Sequence, residues 1–176
     1  MIAATHIDTP LGTMIAGATD AGICLFDFEY RKMMPAIQQR ITVALNDEFE
    51  VAEHPLFAVL QQQLDEYFAG NRQVFDLPLV MTGTSFQKRV WQALLDIPYG
   101  SKSTYLQQSV TLGDEKAIRA VARANGENCL AIIVPCHRVI GTNGSLTGYA
   151  GGLKAKQWLL DHEAKHSGVS FQPTMF

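Results

Sequence analysis

Alternating apolar and polar positions divide the chain into a first part that begins with strands and a second part that is mostly helical. Over the first thirty residues, apolar positions alternate with polar or small ones around Pro10-Leu11-Gly12 and Asp20-Ala21-Gly22, which is typical of short strands joined by turns. The pattern predicts a small antiparallel sheet with two helices over residues 1–82. The helices are indicated by two stripes at helical spacing: Met33, Met34, Ile37, Ile41 and Leu45, and then Leu56, Leu60, Leu64 and Phe68.

A run of small and polar residues from Met81 to Ser85 separates this part from the next and predicts a linker. Thr84 or Ser85 is expected to cap the amphipathic helix that follows. We therefore predict two domains, residues 1–82 and residues 83–176.

The second part contains two short helices joined by a tight turn. Thr104 with Gln107 three residues later is a capping box, in which two side chains cover the exposed N–H groups of a first helical turn. That helix is predicted to end at Leu112-Gly113, Asp114 to cap the next one, and Gly126 to close it in the left-handed conformation. This is the arrangement of a helix-turn-helix, although many helical hairpins of this kind contact no DNA.

A short apolar run, Leu130–Pro135, leads into Cys136-His137-Arg138 and predicts a buried strand. Asn143-Gly144 between short apolar segments predicts a hairpin directly after it, and a final helix is expected from Leu153 to Ala164. The fold class is therefore α+β. A small N-terminal sheet-and-helix domain precedes a mostly helical domain that carries a helix-turn-helix and an active-site hairpin.

Charge is divided unevenly between the two predicted domains. Residues 1–82 hold 4 Lys or Arg and 11 Asp or Glu, a net charge of −7, whereas residues 83–176 hold 10 and 6, a net charge of +4. A basic domain beside an acidic one is expected when one domain binds a polyanion and the other faces solvent. Chance segregation in a small chain would give the same numbers.

Cys24, Cys129 and Cys136 are an odd number of cysteines at spacings that match no zinc site or disulfide framework. We expect three reduced thiols, with no metal and no cofactor. No apolar run approaches the length of a membrane span, and the first residues lack the features of a signal peptide. The sequence therefore favours a cytoplasmic protein without membrane contact.

Cys136 follows proline at the end of an apolar run and precedes His137 and Arg138, which makes it a candidate nucleophile. The thiolate is the reactive form, and a cysteine with a pKa of about 8.5 is only a few per cent ionised at neutral pH. His137 is the candidate base, through a turn or a bridging water because adjacent residues of an extended chain point to opposite faces. Arg138 is a candidate electrostatic helper. An inert buried cysteine is equally compatible with this tetrapeptide alone.

The second part also contains three longer motifs: Val134-Pro-Cys-His-Arg-Val-Ile-Gly141, Ser145-Leu-Thr-Gly-Tyr-Ala-Gly-Gly-Leu153 and Trp158-Leu-Leu-Asp-His-Glu163. Together they resemble the active-site region of the O6-alkylguanine-DNA alkyltransferases, and further matches upstream extend the resemblance over most of residues 83–165. The upstream matches are Phe86-Gln87, Val90-Trp91, Ile97-Pro-Tyr-Gly100, Tyr105, Arg119-Ala-Val121 and Ala124-Asn-Gly126.

The resemblance implies direct repair of double-stranded DNA that contains O6-alkylguanine. The alkyl group would move irreversibly to Cys136, once per molecule, in a monomer and without a cofactor. A chain of Glu163, His137 and water would generate the thiolate. Tyr105 is similar to the tyrosine that gives a proton to the guanine ring, which makes guanine a better leaving group. Asn128 is similar to the asparagine that connects the helix-turn-helix to the active-site strand. Activity on O4-alkylthymine stays open.

The same resemblance implies which residues meet the DNA and the flipped base. Arg119 matches the arginine that fills the gap left by the flipped nucleotide. Ala120 and Arg123 are expected at the DNA surface beside it, Arg123 because it lies one turn further on the same side of the helix. Small residues leave room for a purine, so the expected pocket residues are Tyr149, Ala150, Gly151 and Val139.

Some positions depart from the usual pattern of that family. Gln108-Ser109 stands where Leu-Ala is usual, Ala122 where glycine is frequent, and Cys129 where proline is common. Lys154 and Lys156 are expected to be solvated. Two alternatives to alkyl transfer remain: a thiol hydrolase with Cys136, His137 and Glu163 as a catalytic triad, and a DNA-binding regulator whose cysteine only senses alkylation.

Overall fold

Residues 1–168 are described by a computed structural model, whose strands lie mainly at the start of the chain and whose later elements are mostly helices. This is the α+β architecture expected from the sequence. In chain order, the elements are β1 (Ile2–Thr9), β2 (Gly12–Thr19), β3 (Gly22–Phe28), α1 (Met34–Leu45), β4 (Phe49–Val51), α2 (Pro55–Phe68), α3 (Ser85–Leu94), β5 (Ser103–Thr104), α4 (Tyr105–Thr111), α5 (Ile118–Gly126), a 3-10 helix (Cys136–Arg138), β6 (Val139–Ile140) and α6 (Leu153–His166).

The sheet has the strand order β3-β2-β1-β4. The pairs β1–β2 and β2–β3 are antiparallel, with turns at the two predicted positions, whereas β4 is parallel to β1. The sequence pattern did not predict β4, because it has three residues and its side chains are half-buried or exposed. Gly22 has φ +151 and lies so close to Pro78 that a Cβ would be 2.5 Å from the Pro78 carbonyl oxygen. Glycine at this turn therefore lets the segment before the predicted linker pack against β3.

Every residue of β3 is buried, because the strand is covered on both faces. Cys24 and Leu25 face α1, where they pack with Ile37 and Ile41. Phe26 and Phe28 belong to the other hydrophobic cluster, which includes residues of α2, α3, α5 and the segment before the 3-10 helix. One continuous core therefore crosses the boundary between residues 1–82 and residues 83–168.

The run Leu130–Pro135 is buried as predicted, but it is not a strand. It touches the sheet at one bridge, where Phe26 N–H donates to the Cys129 carbonyl and Ala131 N–H donates to the Phe26 carbonyl. Beyond this bridge the run folds into turns, with Ile132 at φ +71. Apolar composition predicts burial here, but local hydrogen bonds replace a β ladder.

Capping boxes begin two helices, of which the sequence predicted the one at Thr104. The Thr84 hydroxyl accepts from Gln87 N–H at the start of α3, and the Thr104 hydroxyl accepts from Gln107 N–H at the start of α4. Of the two residues proposed to cap α3, Thr84 is the N-cap.

The predicted caps of α5 are wrong. The Asp114 carboxylate accepts from Lys116 N–H and closes a separate turn, so α5 begins only at Ile118. Gly126 stays in helical conformation, and Glu127 follows it without a left-handed turn. At this helix end, the Arg31 guanidinium binds the Gly126 carbonyl oxygen, and the Asn128 N–H donates to the Asn125 carbonyl.

The chain reverses at Asn143-Gly144 as predicted. Gly141 N–H donates to the Ser145 carbonyl at 2.8 Å, and Gly144 has φ +85. The strand before the turn, however, pairs in parallel with β5, and the residues after the turn form no strand. No helix within residues 1–168 is long and apolar enough to cross a lipid bilayer.

Candidate active site

Cys136 begins the 3-10 helix and lies at a cavity of about 490 Å³, a volume typical of small-molecule sites. Its side chain is on the edge of the core, because the residue is 9% exposed. The cavity is formed by both halves of the chain: it is lined by Tyr30, Arg31, Lys32, Met33, Tyr105, Ala122, Asn125, Gly126, Cys136, Gly148, Tyr149, Ala150 and Gly152.

Asn128 holds the Cys136 sulfur in place. Its Nδ2 donates to the Val134 carbonyl at 3.0 Å and to Cys136 Sγ at 3.3 Å, and its Oδ1 accepts from Leu130 N–H at 3.0 Å. Asn128 therefore connects the end of α5 to the turns that carry Cys136, which is the connection expected from the sequence. Burial raises the pKa of the Cys136 thiol, although the Asn128 hydrogen bond acts in the opposite direction. The thiol consequently needs a base to become a thiolate at neutral pH.

Glu163 is the centre of a buried polar network beside the cysteine. His137 Nε2 lies 2.6 Å from Glu163 Oε2, and Arg138 contacts both carboxylate oxygens, at 2.7 Å from Nε and 3.1 Å from Nη2. The Tyr67 hydroxyl donates to Oε2 at 2.7 Å. His137 is fully buried, and Glu163 is 1% exposed. Glu163 and His137, which are 26 positions apart, are therefore in direct contact.

The charges in this network fix the protonation of its members. Burial by itself raises the pKa of Glu163, but the hydrogen bonds from His137 and Arg138 and the positive charge of Arg138 outweigh it and hold that pKa below its usual range. Burial lowers the pKa of His137, against the opposing effect of Glu163. Glu163 is therefore a carboxylate and His137 a neutral imidazole. With Nε2–H donated to Glu163, His137 Nδ1 is left as an acceptor, and it has no hydrogen-bond partner within residues 1–168.

Arg138 binds Glu163, whereas the sequence made it a candidate electrostatic helper of Cys136. Its guanidinium binds Glu163 and, through Nη1 at 2.6 Å, the Ile97 carbonyl. Sequence patterns did not identify Tyr67 as part of the site, because it lies in α2 beside an apolar stripe that predicts burial only. Both residues are positioned to hold the Glu163 carboxylate.

Tyr105 lines the same cavity as Cys136. Its hydroxyl donates to the Thr147 carbonyl at 3.4 Å, a long contact that leaves the group free to rearrange. Burial raises the pKa of Tyr105 above its usual value. The hydroxyl is therefore protonated at neutral pH and is available as a proton donor at the cavity.

The loop before α6 supplies a second wall of the cavity. Tyr149 and Ala150 line it, as expected. Val139 and Gly151 do not, and their assignment to the pocket is corrected. Val139 is fully buried in the hydrophobic core, and the α-carbon of Gly151 faces Phe28, whose ring carbons would lie 2.6 Å from a Cβ at this position. The absence of a side chain at Gly151 allows close packing behind the loop rather than space for a ligand.

Lys156 is fully buried, although the sequence predicted that it would be solvated. Its ammonium group donates to the carbonyl oxygens of Thr147 at 2.9 Å and Gly148 at 3.2 Å. A buried charge is costly unless hydrogen-bonded, and these two carbonyls supply acceptors. Lys156 thereby fixes the cavity loop from the α6 side.

The residues expected at DNA lie on a different surface. Arg119, Ala120 and Arg123 are exposed on α5 and border a shallow groove with residues of the α3 start. Neither guanidinium forms an ion pair within residues 1–168. The other side of α5 faces the cavity through Ala122, Asn125 and Gly126. One helix therefore presents free cations outward and cavity-lining residues inward.

Three of the residues that depart from the family pattern, Gln108, Ser109 and Cys129, are buried. The Gln108 side chain is buried and accepts from Asn125 Nδ2 at 2.7 Å, so that it links α4 to α5. The Ser109 hydroxyl donates to the Tyr105 carbonyl at 2.8 Å within α4. Cys129 is buried with its Sγ 3.6 Å from the Cys24 carbonyl oxygen, and burial raises the pKa of its thiol to about 11. Cys129 is therefore a protonated core residue away from the cavity.

Two domains of one protein family match the chain, and between them they cover most of it. Residues 2–81 match the ribonuclease-like domain of 6-O-methylguanine DNA methyltransferase, and residues 85–165 match its DNA binding domain. The chain belongs to the 6-O-methylguanine DNA methyltransferase family.

Members of this family with similar sequences include curated methylated-DNA–protein-cysteine methyltransferases. The protein of Methanosarcina barkeri is 41% identical over 157 residues, which cover 89% of this chain and 94% of the relative. The constitutive protein of Bacillus subtilis is 44% identical over 163 residues, covering 90% and 93%. Among solved structures, Mycobacterium tuberculosis OGT in complex with DNA aligns with a TM-score of 0.82 at 38% identity, covering 93% of this chain and 94% of that one.

Proposed function

We propose that this protein repairs DNA directly by transferring an alkyl group from O6 of guanine to the Cys136 sulfur. The observation that carries the proposal is the position of Cys136 at a cavity next to His137 and Glu163, on the inner side of a helix whose outer side is basic. The match to the DNA-binding domain of the family supports double-stranded DNA with O6-alkylguanine as the partner. Residues 83–176 are the proposed DNA-binding and acceptor domain.

His137 acts as the base for the thiol. A water molecule bridging Cys136 Sγ and His137 Nδ1 carries the proton to the imidazole, whose Nε2–H already faces the Glu163 carboxylate at 2.6 Å. Glu163 stabilises the imidazolium that forms, because the carboxylate is ionised and held by Arg138. The thiolate then attacks the alkyl carbon on the side opposite to O6, so that the sulfur–carbon bond forms as the carbon–oxygen bond breaks.

Tyr105 assists the departure of guanine. The electron pair of the broken bond moves to the base, where a negative charge in a dry cavity is costly. A proton from the Tyr105 hydroxyl neutralises the guanine ring as it leaves. Tyr149 and Ala150 enclose the base, and the hydrogen bond from Asn128 holds the sulfur in position to attack the alkyl carbon.

Reduced cysteines support a cytoplasmic location for this reaction, because the cytoplasm keeps thiols reduced. Cys24, Cys129 and Cys136 are all free thiols. The transfer uses only side chains of the protein and the DNA itself, so the proposal includes no metal and no cofactor.

Repair is expected to stop at one alkyl group per protein. An S-alkyl cysteine is a thioether, and water does not hydrolyse it at neutral pH because a thiolate is a poor leaving group. With excess duplex that contains O6-methylguanine, the repaired guanine should therefore rise to about one equivalent and then stop. Intact mass should show one added methyl group, located at Cys136 by peptide mapping. Continued turnover beyond one equivalent would support the hydrolase instead, and DNA binding without any added mass would support the sensor.

Arg119→Ala is expected to slow transfer from duplex DNA by on the order of tenfold or more, because an arginine that fills the base stack offsets a few kcal/mol of flipping cost. The free base O6-benzylguanine requires no flipping, so its reaction should change little. Lys165→Ala removes an equal charge from an exposed position on α6 and serves as the control. Equal losses on duplex and free base would refute the proposed role of Arg119.

A further inference from the structure

Four consecutive residues of the N-terminal half, Tyr30 to Met33, line the cavity that contains Cys136. We call them the rim segment. They begin one residue after β3 and directly precede α1, and two of them also bind the backbone of two different segments at the cavity. The rim segment is therefore placed to hold the cavity walls at a fixed separation.

Tyr30 holds the loop that forms one wall. Its hydroxyl donates to the Gly151 carbonyl at 2.7 Å, in the middle of a loop whose Gly148, Tyr149, Ala150 and Gly152 line the cavity. The Tyr30 ring also packs against Phe28, with ring centroids 5.5 Å apart, and Phe28 lies directly behind Gly151. Tyr30 thus fixes this loop from the N-terminal half.

Arg31 holds another wall, which is the end of α5. One guanidinium nitrogen donates to the Gly126 carbonyl, and another donates to the Asn128 carbonyl at 2.9 Å. The guanidinium is oriented by a buried ion pair with Asp27, which is fully buried. A planar guanidinium can bind all three oxygen groups at once, which a lysine ammonium cannot do with the same fixed geometry.

We propose that Tyr30 and Arg31 are specificity-determining residues that set the width of the alkyl-acceptor cavity and thereby limit the size of the alkyl group that reaches Cys136. The inference rests on the proposed alkyl transfer. Because the two residues are adjacent in the chain, their contacts join the Gly151 wall to the Gly126 wall across the cavity rim. Loosening either contact lets the walls separate, which admits a bulky group without improving the fit of a methyl group.

Tyr30→Phe tests the first wall, because it removes the hydroxyl and keeps the ring that packs on Phe28. Single-turnover rate constants are measured on duplexes that contain O6-methylguanine or O6-benzylguanine. Loss of one hydrogen bond of this kind shifts a local equilibrium by about two- to tenfold, so the benzyl-to-methyl rate ratio should rise by about that factor. An unchanged ratio, at an unchanged melting temperature, would overturn the proposal for Tyr30.

Arg31→Lys tests the second wall, with Arg40→Lys as its matched control. Arg40 also binds the α5 end from the N-terminal half, through the Glu127 side chain and carbonyl, but it does not line the cavity. Only Arg31→Lys should raise the benzyl-to-methyl ratio. A similar change in both variants would mean that Arg31 merely stabilises the helix end. If Arg31→Lys fails to fold, Tyr30→Phe decides the proposal alone.

Amide hydrogen exchange separates this proposal from the proposed function. Tyr30→Phe should speed exchange at residues 147–152, and Arg40→Lys should not. This result is independent of chemistry at Cys136. Faster exchange in a protein that never acquires an alkyl group would contradict the proposed function and leave the tethering of the loop supported, whereas unchanged exchange would contradict the tethering itself.

Discussion

Cys136→Ser is expected to abolish alkyl transfer while leaving the affinity for DNA nearly unchanged. Serine is close to cysteine in size, and its hydroxyl can still accept the hydrogen bond that Asn128 Nδ2 gives to the sulfur at 3.3 Å. The hydroxyl is far harder to ionise than a thiol, so the relay through His137 cannot generate a nucleophile. The proposed DNA surface on α5 does not include the residue.

Two measurements on one duplex containing O6-methylguanine check this expectation. Mass spectrometry should detect no added methyl group in Cys136→Ser, and titration should give a dissociation constant like that of the unaltered protein. Cys129→Ala is the matched control, because that thiol is buried in the core and does not line the cavity. It should still acquire one methyl group. Transfer that survived in Cys136→Ser would remove Cys136 as the acceptor.

Features of the fold that depend on neighbouring residues were predictable from the sequence. The capping boxes at Thr84 and Thr104 are complete within four residues, and the predicted turns at Gly12 and Gly22 have a positive φ that glycine adopts without strain. The run from Leu130 to Pro135 shows the limit of prediction from local patterns. Its apolar residues predict burial correctly, but whether a buried run forms a ladder or turns depends on its partners, here a single bridge to Phe26.

The site was predictable only where chemistry is carried by a motif. Cys136 and His137 are neighbours in sequence, and the resemblance to a family implied that Glu163 acts behind them. Nothing local indicates that the Tyr67 hydroxyl meets Glu163, since the two residues are 96 positions apart. Lys156 was wrongly expected in solvent because a lysine on a helix is usually exposed, and its two carbonyl partners become visible only once the loop at residues 147–148 is folded.

Glu163→Gln is expected to destabilise the fold and to slow the reaction. The carboxylate accepts from Tyr67, His137 and Arg138. A glutamine amide has only one acceptor oxygen, so in either orientation its NH2 group faces at least one of these donors. Removing one partner of a buried ion pair costs about 3–5 kcal/mol, or roughly 10 °C in melting temperature for a chain of this size. Glu127→Gln, which alters a more exposed carboxylate bound to Arg40, should cost at most about 1 kcal/mol.

The pH dependence of stability gives an independent check on the charge of Glu163. Its pKa is lowered in the folded protein, so its contribution to stability is complete above its unfolded pKa of about 4.3 and is lost as the pH falls through the folded value. The difference in unfolding free energy between the unaltered protein and Glu163→Gln should therefore be constant near neutral pH and shrink in acid. A difference that did not shrink would mean that Glu163 is not a paired carboxylate.

The effect of Glu163→Gln on the reaction follows from the change in the pKa of His137. Glu163 raises the pKa of His137 against the effect of burial, so its replacement leaves a weaker base, and thiolate formation then requires a higher pH. Transfer at pH 7 should fall by about 10²-fold, and the pH–rate profile should move to higher pH. These are measured by single-turnover kinetics at a temperature where both proteins are folded, with Glu127→Gln keeping the original profile. A slower reaction with an unshifted profile would assign Glu163 a purely structural role and would leave His137 without its proposed partner.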